Sequence, residues 1–137
     1  MSMEAVRVTG YGGVDKLVVD QLPIPTPGPY EVLIMVCLRS NNSELNMREG
    51  AYGTDTNTNT LAGWRREGIS FPRIPGSDIA GDIVEVGSEI NTSRLNEKVI
   101  LFPFRSELKN GEEDITYIGS EYDGGYAQYV TWPAELC

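Results

Sequence analysis

The sequence predicts a mainly β domain, either a barrel or a sandwich. Short apolar runs with turn signals between them recur over residues 5–9, 17–20, 31–38, 98–102 and 126–131, and in the run that the Pro75-Gly76 turn feeds and Gly87 closes. A single polar stretch, residues 41–48, carries cap residues ahead of Leu45 and Met47, enough for one or two short helical turns. No strand leads into a glycine-rich turn and a helix, so the pattern contains no dinucleotide-binding unit.

Taken in order, residues 5–9 and 17–20 form a hairpin around Gly10-Tyr11-Gly12-Gly13. Residues 23–29 hold four prolines, which lack the ladder donor, and make an extended connector. Residues 31–38 are nearly all apolar, as a central strand buried on both faces requires. The helix over 41–48 ends at Gly50, and residues 54–60, alternating Thr with Asn and Asp, read as a loop. The stretch from Ile74-Pro75-Gly76-Ser77-Asp78 to Gly87 organises the chain: a proline-glycine turn feeds a strand. Gly81 interrupts that strand, which marks a bulge or a close backbone approach. Residues 88–96 are a polar connection, and 98–102 form a strand. Residues 105–114 are a polar, acidic loop around the Asn110-Gly111 turn signal, and Gly124-Gly125 launches the strand over 126–131.

At 137 residues the chain fits one domain, with 40% hydrophobic and 23% charged residues. A net charge of −9 with no basic cluster argues against nucleic acid and against anionic membrane surfaces. No apolar run approaches the ~20 residues of a membrane span. Residues 1–4 lack a signal peptide's basic start and apolar core, so a cytoplasmic location is expected. Two cysteines, Cys37 and Cys137, make no disulfide framework, and Cys37 in its apolar run reads as a buried thiol. There is no histidine, which removes Ser-His and Cys-His pairs and the usual zinc ligand.

Four segments, in this order, resemble the N-terminal catalytic domain of the medium-chain dehydrogenase/reductase superfamily, with its GroES-like barrel. They are Pro25-Thr26-Pro27-Gly28-Pro29-Tyr30-Glu31-Val32-Leu33-Ile34, Asn41-Asn42-Ser43-Glu44, the run from Pro75 to Gly87, and Gly124-Gly125-Tyr126-Ala127-Gln128-Tyr129-Val130. The resemblance implies one GroES-like domain over residues 1–137, a partly open β-barrel with no Rossmann domain. It implies further that this domain lacks the segment that closes the barrel in relatives.

Where zinc alcohol dehydrogenases carry a ligand cysteine and a ligand histidine, this chain has Asn41 and Ser77, and Asp78 stands at the following glutamate position. An amide and a hydroxyl are poor Zn²⁺ ligands, so no zinc is expected. The chain is more similar to the zinc-independent branch of quinone oxidoreductases, which carry Asn at this position and an R-x-G-x-Y pattern matched by Arg48-Glu49-Gly50-Ala51-Tyr52. The cofactor the resemblance implies is NADPH, with Asn42 near its phosphates. Asn41, Ser43, Tyr52 and Ser77 are the implied catalytic residues, and a small carbonyl compound or quinone is the implied substrate. As plain sequence features, Asn41 and Ser43 are equally good helix caps, Tyr52 a half-buried aromatic and Ser77-Asp78 an ordinary turn.

NADPH binding by this chain alone is not expected, because the relatives' nucleotide-binding half supplies most cofactor contacts. A homo-oligomer is expected. The alternative is a standalone, non-catalytic binding or oligomerisation module that keeps the barrel.

Overall fold

The computed structural model describes residues 1–39, 43–51 and 69–137, with the backbone alone at Ser43. The described strands are β1 (Ser2–Val8), β2 (Leu17–Pro23), β3 (Glu31–Arg39), β4 (Ile79–Val86), β5 (Lys98–Ile100), β6 (Phe104–Lys109), β7 (Glu112–Tyr117) and β8 (Tyr129–Pro133). Between β3 and β4 lies α1 (Ser43–Arg48). The expected loop over 54–60 lies outside the described residues.

The strands form three sheets: β1 with β2, the order β5-β4-β3-β8, and β6 with β7. Every pairing is antiparallel. Among the described residues the sheets do not close into one ladder. The backbone of residues 126–128 stitches the first to the second: Val6 N–H donates to the Tyr126 carbonyl at 2.7 Å, and Gln128 N–H to that of Glu4 at 3.1 Å. Val36 N–H then donates to the Gln128 carbonyl at 2.9 Å. The mainly β, partly open barrel of the sequence reading is the fold observed.

Alternation builds the core. Met3 and Ala5 of β1, Ile79 and Ile83 of β4, and Val130 and Trp132 of β8 point inward, while their neighbours are less buried. Val32, Ile34, Ile79, Ile83, Val130 and Trp132 pack with Val99, Leu101 and Ile118 in one cluster. The Trp132 indole is buried, and its Nε1 donates to the Phe102 carbonyl at 2.9 Å, which satisfies its one polar group.

β3 is central, between β4 and β8, but it is buried on both faces only over Val32, Leu33 and Ile34. Its second half is open, with Leu38 69% exposed. The register explains this. Val36 faces Gly81 and Leu38 faces Ala80, so Cys37 is an extra residue that bulges from the ladder. Cys37 is therefore exposed rather than buried, with its Sγ 3.6 Å from Asp82 Oδ2. Gly81 faces this bulge. A Cβ there would lie 2.2 Å from the Met35 carbonyl oxygen and 2.7 Å from Ile34 Cγ2, so the strands approach as closely as they do only because position 81 is glycine.

Residues 105–114 are also more ordered than a loop. Asn110 (φ 54°) and Gly111 (φ 81°) are the central pair of a hairpin turn joining β6 to β7. The turn signal was legible. The strands beside it read as polar because most of their side chains face water.

Candidate functional site

The site begins at a proline-glycine turn. Gly124 N–H donates to the Ile74 carbonyl at 2.8 Å, Gly125 N–H to that of Gly76 at 2.9 Å, and Tyr126 N–H to that of Pro75 at 3.0 Å. Asp123 Oδ1 accepts from Ile74 N–H and from Arg73 Nη1, each at 3.0 Å. The backbones cross so closely that a Cβ on Gly124 would lie 2.2 Å from the Gly76 carbonyl oxygen. Gly76 itself has φ +104°, a conformation side chains resist. These contacts lock the turn that presents Ser77, which is half-buried.

Helix α1 is docked against the same turn. Met47 is buried with Val8 and Ile69. Arg48, 6% exposed, donates from Nη1 to the Gly12 carbonyl at 2.6 Å, and Gly12 N–H returns a bond to the Arg48 carbonyl at 2.9 Å. Glu44, in the helix's first turn and 8% exposed, accepts from Ser77 N–H at 3.3 Å through Oε1. A buried carboxylate thus joins the start of α1 to the Ser77 turn.

The third contributor is the end of β3. Arg39 Nη1 donates to the Ala127 carbonyl at 2.9 Å and, at 3.4 Å, to that of Gly125. It therefore clasps the backbone on both sides of Tyr126. Burial raises the Tyr126 phenol's pKa, the Glu44 charge raises it further, and Arg39 opposes them. The phenol stays neutral, a donor, near pH 7.

Of the residues the sequence nominated, Ser77 lies on the locked turn and Ser43 opens α1. Asn41, Asn42 and Tyr52 lie outside the described residues. Ser77 and the first turn of α1 are brought together. Glu44, Arg39 and Tyr126 were not singled out, although each carried a signal. Glu44 is a carboxylate directly behind Asn41-Asn42-Ser43, Arg39 a charge ending an apolar run, and Tyr126 an aromatic directly after two glycines. Among the described residues no group of three or more His, Cys, Asp or Glu side chains could hold a metal ion. A cleft of about 870 Å³ opens elsewhere, between Tyr30, Phe102, Phe104, Arg105 and Leu136, and none of the nominated residues lines it.

Comparison with known proteins places this architecture. An NAD-dependent alcohol dehydrogenase of Sulfurisphaera tokodaii is 32% identical, covering 96% of this chain and 38% of its own length. A chloroplastic quinone oxidoreductase, QR1 of Triphysaria versicolor, is 28% identical, covering 93% of this chain and 31% of its own. The crystal structure of a Sinorhizobium meliloti 1021 protein classed as an alcohol dehydrogenase superposes with a TM-score of 0.81 at 42% identity, over 98% of this chain and 39% of that one. The chain thus spans well under half the length of these relatives. Residues 28–137 match the model of the alcohol dehydrogenase GroES-like domain, and the chain belongs to that family, within the medium-chain dehydrogenase/reductase superfamily.

Proposed function

We propose that this chain is the substrate-binding, catalytic domain of a zinc-independent NAD(P)H-dependent oxidoreductase of the alcohol dehydrogenase or quinone oxidoreductase kind. One observation carries the reading: the hydrogen bond from Ser77 N–H to Glu44 Oε1 at 3.3 Å. It couples the two segments whose counterparts in zinc enzymes hold the reacting centre, the run from 41 to 44 and the Ser77 turn. The relatives' names, alcohol dehydrogenase and quinone oxidoreductase, support the same chemistry.

The donor set does not fit zinc. Asn41 and Ser77 offer a neutral amide and a hydroxyl where the metal prefers thiolate, imidazole or carboxylate, and no step runs through a metal here. The nicotinamide, when bound, supplies the hydride. The chain's own residues bind and orient. By the family resemblance the Asn41 amide and the Tyr52 hydroxyl are assigned to orienting the substrate oxygen, Ser43 and Ser77 to substrate contact, and Asn42 would hold the cofactor phosphates. Glu44 fixes the Ser77 backbone. Residues 1–137 act as one domain that works only with a nucleotide-binding domain beside it.

The test joins this chain to the nucleotide-binding half of the Sinorhizobium meliloti relative. The chimera is expected to oxidise NADPH with a ketone or quinone, without stoichiometric zinc and without loss to 1,10-phenanthroline. Asn41→Ala and Tyr52→Phe are each expected to lower kcat/KM by about tenfold or more, the loss of a positioned hydrogen bond in a dry site. Turnover that requires zinc, or that ignores both substitutions, would overturn the reading.

A further inference from the structure

Tyr126 is held far more firmly than a surface-facing aromatic needs. Its N–H donates to the Pro75 carbonyl at 3.0 Å, and its own carbonyl accepts from Val6 N–H at 2.7 Å. Arg39 grips the carbonyls on either side of it. Its ring lies on Gly76, where a Cβ would come within 2.8 Å of Tyr126 Cδ1. Tyr126 also packs against the buried cluster of Met3, Ala5, Ile74 and Ala127. All this restraint ends in a hydroxyl that makes no hydrogen bond among the described residues. A locked ring with an uncommitted donor, one residue from Ser77 in space and close enough to Glu44 to feel its charge, is an arrangement for meeting a ligand.

We propose that Tyr126 is a substrate-binding residue of this site, its ring forming a wall beside Ser77 and its hydroxyl donating to the oxygen of a carbonyl substrate. The proposal rests on the catalytic-domain reading above and adds a donor that lies within the described residues, independent of Tyr52. Glu44 and Arg39 are the charged groups that face it. A neutral hydroxyl donor suits the uncharged oxygen of a ketone or quinone, and the Glu44 charge beside it disfavours an anionic carboxylate while Arg39 opposes that effect.

The test uses the 137-residue chain with ring-¹³C-labelled tyrosine and ¹⁵N amides, titrated with cyclohexanone. Tyr126→Phe assigns the resonance among the seven tyrosines. Saturable shifts at Tyr126 and at the Ser77 amide are expected, with Tyr30 unmoved. Tyr126→Phe is expected to weaken binding about fivefold while leaving the melting temperature unchanged, because the hydroxyl has no hydrogen-bond partner among the described residues. Acetate and propionate are expected to bind more weakly than the ketone. If Ser77 shifts but Tyr126 does not, or if Tyr126→Phe binds as wild type, Tyr126 is only a structural wedge and the site reading survives. If neither shifts, the Tyr126 proposal falls, and turnover by the chimera decides the catalytic-domain reading separately.

Discussion

Gly81 shows how one missing methyl group sets the geometry of a sheet. The Cys37 bulge turns β3 outward, and β4 can follow it only if nothing stands at position 81. The obstacle to a side chain is backbone, the Met35 carbonyl, so relaxation is costly. Gly81→Ala is expected to destabilise the fold by about 3 kcal/mol, at the upper end of ordinary overpacking. At this chain size that corresponds to a melting temperature lower by roughly 10 °C. Gly10→Ala, where a Cβ meets nothing within 4 Å, is the matched control and should change little. Equal melting temperatures for the two variants would mean that β3 and β4 are not in the register described. The same bulge explains why Cys37 was misread. An apolar run signals a strand, but a one-residue register shift decides which way each side chain points, and that shift comes from the partner strand.

At the scale of elements, what was legible depended on where the information lies. The hairpin of β1 and β2, the central place of β3, the close backbone approach at Gly81 and the Asn110-Gly111 turn come from local residue types, and each appears where expected. The strands flanking that turn were hidden, because solvated strands lose the apolar alternation that marks buried ones. The site was legible only in part. Ser77 and the polar helix start stand in the sequence, but the pairing of Glu44 with Ser77 spans 33 residues and needs the fold. β2 raises a question of partners. Thr9 N–H bonds to the Lys16 carbonyl and Ile24 N–H to that of Met1, so even-numbered residues face β1 and Val19 presents its N–H to the open edge. Among the described residues no strand covers that edge, and Val19 is 69% exposed. An uncovered apolar edge recruits another chain. Light scattering of the protein is expected to show concentration-dependent association. Val19→Lys, a charge on the edge that leaves the β1 ladder intact, should shift it to monomer. A wild type that stays monomeric at high micromolar concentration would show that the edge is already protected.

At the scale of the whole molecule the question is whether this domain can engage, alone, the nicotinamide cofactor proposed for it. Dinucleotides are held chiefly by backbone N–H groups at a helix start behind a glycine-rich turn, where the pyrophosphate charge is met without side-chain cations. The one α-helix among the described residues, α1, is six residues long, and its first turn carries Glu44, which repels phosphate. The chain's net charge of −9 adds a long-range term of the same sign. The contribution expected of this domain is Asn42 and the substrate-side wall, too few contacts to offset the cost of immobilising a flexible dinucleotide. The isolated chain is therefore expected to give no saturable change in NADPH fluorescence and no turnover of a ketone or quinone, while the chimera with a nucleotide-binding half does both. Lowering the ionic strength should not rescue binding, because the field opposes it. Micromolar, saturable NADPH binding by the 137 residues alone would show that the domain carries a phosphate site of its own, and the division of labour argued here would have to be redrawn.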